Sequence, residues 1–112
     1  MIFDLNLHPH PFYLIDSGYK DVEMRLNTPI RREIKVGDTI RFTNRDSGLT
    51  ILRKVVAIKS FKNFEELYNS YPKSRLGYQD KEEANYRDMN EYYSNEDIEK
   101  YGVIAFELDK VD

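Results

Sequence analysis

The feature that most constrains the fold is a strand–turn–strand pattern in the middle of the chain. Residues 39–43 alternate β-branched or aromatic side chains with polar ones, which is typical of a half-buried strand. Residues 44–48 have the composition of a tight turn, so residues 49–60 are predicted to return as the second arm of a hairpin. The apolar run 55–58 in that arm predicts burial on both faces or a β-bulge. The hairpin favours a fold built on a sheet.

Three further segments have the composition of strands. Residues 2–7 and 103–108 are rich in apolar side chains near the two ends of the chain. Residues 19–26 follow a glycine and alternate apolar side chains with charged ones, which is the period of a strand with one buried face. With the central hairpin, these segments give five predicted strands.

Three short helices are predicted between the strands. Pro11 suits a first helical turn, so a helix is expected over residues 11–17. Asn63 and Glu66 have the spacing of a capping box, and Ser94 precedes acidic residues that suit the N-terminus of another helix. The predicted order is β-α-β-β-β-α-α-β. It indicates the α+β class, as a small β-barrel flanked by short helices, in a single domain spanning residues 1–112.

Composition and charge narrow the class of protein. The net charge is −3 and there is no cysteine, which argues against disulfides and thiolate metal sites. Residues 1–75 carry 13 Lys and Arg against 9 Asp and Glu, whereas residues 76–112 carry 4 against 11. A basic face from the first part could attract a phosphate-bearing ligand, but the overall balance argues against long duplex DNA. No apolar run or leader-like segment predicts contact with a membrane, so a cytoplasmic protein is expected.

The best candidate for a site is the run 18–25, which has the form G-x-K-x-x-E-x-R. Lys20 is a mobile point charge suited to phosphate, and Arg25 offers a planar fork of donors. Glu23 could accept hydrogen bonds from a base or hold either cation in place. In a regular strand Lys20 and Glu23 would point to opposite faces, so both can reach one cleft only if Lys20 precedes the strand or a bulge intervenes. The alternative interpretation is an ordinary ion pair on a solvated strand face.

This motif, the Val-Gly-Asp turn at 36–38 and the closing segment 101–107 together resemble an ASCH domain of the PUA-like superfamily. The resemblance covers essentially the whole chain. It implies a small PUA-like β-barrel with short helices and a cleft lined by the motif. It also implies that the cleft binds RNA, expected to be single-stranded, or a small nucleotide or nucleoside.

A branch of the same family implies a second activity, metal-independent amidohydrolysis of an N4-acylated cytidine-type nucleoside. Its catalytic lysine, threonine and glutamate correspond to Lys20, Glu23 and Glu91 of this chain. Glutamate in place of threonine is a departure, because a carboxylate is a poor acyl nucleophile. Glu23 could act instead as a general base on water, with Lys20 stabilising the oxyanion. Binding therefore ranks above catalysis.

Other polar and aromatic side chains are weaker candidates for ligand contacts. Tyr92 and Tyr93 lie beside the candidate acid in the sequence and could stack on bases. His8 and His10 have the spacing of two metal ligands but no third ligand pattern accompanies them, so they are expected to contact phosphate or a base if they reach the cleft. No metal and no cofactor is expected. The pair 31–32 (Arg-Arg) is interpreted as solvated, with a possible role in steering phosphate.

Overall fold

The computed structural model describes residues 1–111, which form five strands and three α-helices. The strands are Ile2–Leu7 (β1), Val22–Leu26 (β2), Thr39–Asn44 (β3), Thr50–Phe61 (β4) and Val103–Lys110 (β5). The α-helices are Pro9–Asp16 (α1), Phe64–Tyr68 (α2) and Asn95–Tyr101 (α3). Single 3₁₀ turns or short 3₁₀ helices lie at Arg31–Glu33, Lys73–Leu76 and Tyr86–Glu91.

All five strands belong to one sheet, in the order β1-β3-β4-β5-β2. The β1–β3 pair is parallel and the other three pairs are antiparallel. The sheet forms a half-barrel with the short helices around it, so the expected α+β fold class is confirmed. The strands β1 and β2 are its two edges.

The central hairpin forms as the sequence predicts. Asn44 is buried at the turn, and its side-chain oxygen accepts hydrogen bonds from the backbone N–H groups of Asp46 and Ser47 at 3.0 and 3.3 Å. The register of β4 against β5 shifts between Val55 and Ala57, so of the two outcomes predicted from the apolar run the structure shows the bulge. The bulge lets a 12-residue strand bend around the half-barrel.

The strand β5 is buried on both faces because it lies between two hydrophobic clusters. Ile104, Phe106 and Leu108 pack with α1 and the hairpin side of the sheet. Val103 and Ala105 point to the opposite face and pack with α2 and the inward side chains of β2. In β2 the apolar side chains face this second cluster, so the alternate residues at 23 and 25 face the other way, toward β1.

Two predicted boundaries were wrong by two or three residues. The helix α1 begins at Pro9 rather than at residue 11, because Pro9 itself supplies the first-turn geometry after the extended His8. The strand β2 begins at Val22 rather than at residue 19. Gly18 at φ +85° takes the chain out of α1, and the next three residues are a connection, not a strand.

Side-chain caps begin the other two α-helices. The side-chain oxygen of Asn63 accepts from the N–H of Glu66 at 3.0 Å, and the Glu66 carboxylate accepts in return from the N–H of Lys62 at 3.1 Å. The Ser94 hydroxyl accepts from the N–H of Asp97 at 3.1 Å. None of the helices within residues 1–111 has the length and apolar character that a bilayer span needs.

Candidate functional site

A cavity of about 330 Å³ opens where the two edge strands of the half-barrel approach each other without pairing; we call it the first cavity. The Arg25 guanidinium spans this gap, since its Nη2 donates to the backbone oxygen of Asn6 on β1 at 2.8 Å. The charged and aromatic side chains that line it are His8, Lys20, Glu23, Arg25, Arg31, Arg45, Tyr92 and Tyr93. Apolar side chains, Leu7, Pro11, Met24 and Met89, complete its walls.

The three charged residues of the motif meet at the inner wall of the first cavity. Glu23 Oε1 accepts from Lys20 Nζ at 3.2 Å and from the backbone N–H of Met24 at 3.1 Å. Glu23 Oε2 accepts from Arg25 Nε at 3.1 Å and Nη2 at 2.9 Å. Glu23 and Lys20 are only 3% and 7% exposed. One buried carboxylate thus holds two cations with three hydrogen bonds and accepts a fourth from the backbone.

This arrangement keeps Glu23 ionised. Burial alone would raise the pKa of a carboxyl group, but the adjacent charges of Lys20 and Arg25 and their hydrogen bonds outweigh it and lower the pKa of Glu23 to about 2. Burial opposes the charge on Arg25 as well, and the Glu23 carboxylate, helped by the Tyr93 hydroxyl, still raises the pKa of Arg25. Glu23 and Arg25 are therefore both charged at neutral pH.

Lys20 reaches the same cavity as Glu23 because it lies before the strand. Its backbone N–H donates to the Leu14 carbonyl at the end of α1, at 3.0 Å, so the alternation of β2 does not apply to it. Its alkyl stem passes over Gly77, where an added Cβ would lie 3.2 Å from Lys20 Cδ. The sequence allowed either a Lys20 that precedes the strand or a bulge within it, and the structure has the first arrangement.

Two tyrosines and a histidine form the outer wall. Tyr93 is stacked on Phe64 at 6.0 Å between ring centroids, so one of its faces belongs to the core. Tyr92 is 53% exposed and lies 6.0 Å from the His8 ring. Burial, and then the nearby carboxylates Glu91 and Glu23, raise the pKa of Tyr92, so its hydroxyl remains a donor at neutral pH. Of the two tyrosines, Tyr92 is the more exposed.

The structure adds Arg31 and Arg45 to the site, which motif spacing did not single out. Arg31 lies on the 3₁₀ turn after β2, and Arg45 lies in the hairpin turn. Both line the first cavity, although neighbouring Arg32 is exposed and does not. For Arg45 the only signal in the sequence was the excess of basic residues before residue 76. The pair 31–32 was interpreted as solvated, which is wrong for Arg31, because its side chain is partly buried in the cavity wall.

Glu91 and His10 lie in an adjacent second cavity of about 450 Å³. It shares Pro11, Lys20, Met24, Met89 and Tyr92 with the first cavity. Glu91 is exposed there, near Glu82 and Asp88. Of the predicted site residues, the first cavity therefore gathers His8, Lys20, Glu23, Arg25, Tyr92 and Tyr93, but not His10 or Glu91.

The two histidines line different cavities, His8 the first and His10 the second. Within residues 1–111 no group of three or more His, Cys, Asp or Glu side chains has the arrangement of a metal site. The side chains of the first cavity are instead those that recognise anions and aromatic rings.

Comparisons with known proteins agree with the geometry of the fold. The hypothetical protein PH0355 has a crystal structure that superposes with a TM-score of 0.82 at 27% identity, covering 99% of this chain and 100% of that one. Protein PF0455 from Pyrococcus furiosus, solved by NMR, gives 0.70 at 28% identity, covering 100% and 99%. The ASCH protein of Zymomonas mobilis, as an S128A mutant, shares the fold with a TM-score of 0.69 at 22% identity, covering 97% of this chain and 68% of that one.

A search of curated proteins finds no significant match. The ASCH domain family model, by contrast, matches residues 5–112, which is nearly the whole sequence and includes every residue of both cavities. The chain therefore belongs to the ASCH domain family.

Proposed function

We propose that this protein binds a small nucleotide or a short segment of single-stranded RNA in the first cavity. The observation that carries the proposal is the convergence of four cationic side chains, Lys20, Arg25, Arg31 and Arg45, on a cavity that holds one carboxylate. Such a cavity attracts an anionic ligand. Its volume suits a ligand of a few nucleotides at most, in keeping with the expectation that long duplexes are not bound.

The exposed ring of Tyr92 supports a role in stacking on a base. Its side chain is 53% exposed, and the His8 ring beside it could extend the aromatic surface. Base–aromatic stacking is tolerant of sequence and contributes about 1–3 kcal/mol per base. Tyr93 has one face against Phe64, so we assign its hydroxyl, near Arg25, to the polar wall.

Within this proposal Glu23 positions the cations and does not read a base. Both of its oxygens already accept two hydrogen bonds each. Lys20 keeps two of its three N–H donors for a ligand, and Arg25 keeps those of Nη1. The motif then presents a row of fixed donors to phosphate, ribose or base oxygens.

The amidohydrolase alternative is less well supported. A general base needs a pKa near neutrality, and the pKa of Glu23 is about 2. Glu91, the proposed distant acid, is exposed in the second cavity. We therefore expect no deacylation of N4-acetylcytidine above the rate in buffer. A product that depends on Glu23, absent in Glu23→Gln, would favour catalysis over binding alone.

The proposal is tested by calorimetric titration with nucleoside monophosphates and a hexaribonucleotide. Tyr92→Ala should weaken binding by about 5- to 150-fold, the loss of one stacked base. Tyr13→Ala is the matched control, because Tyr13 is 52% exposed and lies outside both cavities. Equal affinities for the two variants would contradict the assigned role of Tyr92, and no binding of any probe by the wild-type protein would contradict the proposed function.

A further inference from the structure

Arg31 and Arg45 differ from the other two cations of the first cavity in having no anionic partner. Lys20 and Arg25 share the Glu23 carboxylate, whereas neither Arg31 nor Arg45 forms an ion pair within residues 1–111. Their charges face the cavity uncompensated. The simplest counter-charge is one that a ligand would bring.

The Arg31 guanidinium is only partly satisfied by the protein. Its Nη1 donates to the Thr28 hydroxyl at 3.3 Å, but its Nε is buried and is without a partner in the described part of the chain. Buried donors are rarely left unpaired in folded proteins, so this one marks a position where an acceptor belongs. Burial, and then the like charge of Arg25, lower the pKa of Arg31, and a bound anion would reverse that effect.

Arg45 approaches the same cavity from the hairpin turn. Its backbone N–H donates to the Leu7 carbonyl at 2.9 Å, which fixes its position at the end of β1. Its Nη1 lies 3.5 Å from His8 Nε2, beside the aromatic wall. The turn therefore holds a second guanidinium next to the surface where we expect a base.

We propose that Arg31 and Arg45 form the subsite for the phosphate group of the ligand, separate from the donors of the Lys20–Glu23–Arg25 cluster. This inference rests on the proposed function. Two planar forks of donors match the oxygens of a phosphate and need no rearrangement of the ion pairs around Glu23. The ligand class that follows is a phosphorylated nucleotide rather than an unphosphorylated nucleoside.

The test compares adenosine with its 5′- and 3′-monophosphates, the dinucleotide ApA and inorganic phosphate, by calorimetry. The wild-type protein should bind one of the phosphorylated ligands at least about tenfold more tightly than adenosine, since hydrogen bonds to charged groups are among the stronger ones. The monophosphates and ApA distinguish a terminal from an internal phosphate, and inorganic phosphate tests for adventitious binding of the ion alone.

The variants Arg31→Gln and Arg45→Gln should each remove about tenfold of the preference for phosphate while changing the affinity for adenosine less than twofold. Arg32→Gln is the matched control, because Arg32 is exposed on the same 3₁₀ turn and lies outside the cavity. Arg31→Lys, which keeps the charge, should recover part of the preference and guards against a folding defect.

Two results separate this inference from the proposed function. If the wild-type protein binds the nucleotides but Arg31→Gln and Arg45→Gln leave the preference for phosphate unchanged, the subsite is overturned and the proposed function stands. If the wild-type protein binds adenosine, the nucleotides and a hexaribonucleotide equally weakly or not at all, both are overturned.

Discussion

At the scale of single residues, Glu23 organises the site. A buried carboxylate is costly unless it is paired and fully hydrogen-bonded, and here two cations and one backbone N–H meet that requirement. Because of these bonds to Glu23, Lys20 and Arg25 are held at fixed positions on the cavity wall. Ordering these two long side chains before a ligand arrives reduces the entropy lost on binding.

The first prediction concerns acid stability. The pKa of Glu23 is about 2 in the folded chain and near 4.5 when unperturbed, so the unfolded state takes up its proton first as pH falls. The stabilisation is present above pH 4.5 and is lost as pH falls toward 2. The difference corresponds to about 3 kcal/mol. The wild-type protein should have a higher free energy of unfolding than Glu23→Gln above pH 4.5. This difference should shrink by about 3 kcal/mol as the pH falls from 4.5 to 2.

Urea unfolding followed by far-UV circular dichroism between pH 2 and 7 measures this difference. Glu33→Gln is the control, because Glu33 is exposed and forms no ion pair within residues 1–111. The difference in free energy of unfolding between the wild-type protein and Glu33→Gln gives the reference for replacing an exposed carboxylate. A Glu23→Gln difference that is independent of pH would mean that Glu23 is not held ionised by its two cations.

The sequence predicts those features of the site that depend on the spacing of nearby residues. The convergence of Lys20 and Glu23 was anticipated as one of two geometries, because the period of the strand forced the question. The interpretation of Arg31 as solvated is wrong, since its entry into the cavity depends on a 3₁₀ turn and on packing beyond β2. Glu91 was placed by counting along the sequence, which cannot show that the residue lies on the far side of Lys20.

At the scale of elements, prediction succeeded where the signal is local and chemical. The hairpin with Asn44 in its turn, the bulge in β4 and the caps at Asn63 and Ser94 all follow from a few adjacent residues. Residues 73–93 carry no periodic pattern that predicts an element. They form two short 3₁₀ helices, which lack the 3.6-residue period that reveals an amphipathic α-helix.

The second prediction concerns Gly77, the residue that ends the first of these 3₁₀ helices. It has φ +104°, and a Cβ there would lie 3.2 Å from Lys20 Cδ and 3.3 Å from Leu14 Cδ1. Gly77→Ala should cost about 2–3 kcal/mol, through backbone strain and crowding of the Lys20 stem. It should also weaken nucleotide binding, because Lys20 would have to move.

Gly48→Ala separates the two contributions. Gly48 has φ +77°, and within the described chain nothing lies within 4 Å of its added Cβ, so that variant should show strain alone, about 1 kcal/mol, with binding unchanged. Urea unfolding and calorimetric titration of both variants provide the comparison. Similar losses of stability and affinity in the two would show that the contact between Gly77 and Lys20 has no consequence.

At the scale of the whole molecule, the uneven charge along the chain becomes a division in space. The cations of the first cavity all come from residues 20–45. The three carboxylates of the second cavity, Glu82, Asp88 and Glu91, come from the acidic last third. Lys20 lies on the wall that both cavities share. A polyanion that enters at the arginines therefore meets like charge once it extends past Lys20.

The third prediction follows from this division and concerns ligand length. Affinity should rise from nucleoside to mononucleotide and then stay within about threefold for oligoribonucleotides of two to eight residues. With one or two phosphates neutralised, the logarithm of the binding constant should fall against the logarithm of salt concentration with a slope of about −0.7 to −1.4. Titrations between 50 and 200 mM salt measure both quantities. An affinity and a slope that keep growing with length would contradict the division.

Replacing carboxylates of the second cavity should allow affinity to grow with the length of the oligoribonucleotide. In Glu82→Gln/Glu91→Gln the second cavity loses two of its three carboxylates, so longer oligoribonucleotides should gain affinity and a steeper salt slope, while mononucleotides should not. Glu96→Gln/Glu99→Gln changes the net charge equally at exposed positions outside both cavities. If that control gains as much for long oligomers, the effect belongs to the overall charge of the molecule. A gain confined to the first variant would show that the carboxylates of the second cavity limit the length of RNA that binds, because they repel the phosphates of an RNA that extends beyond Lys20.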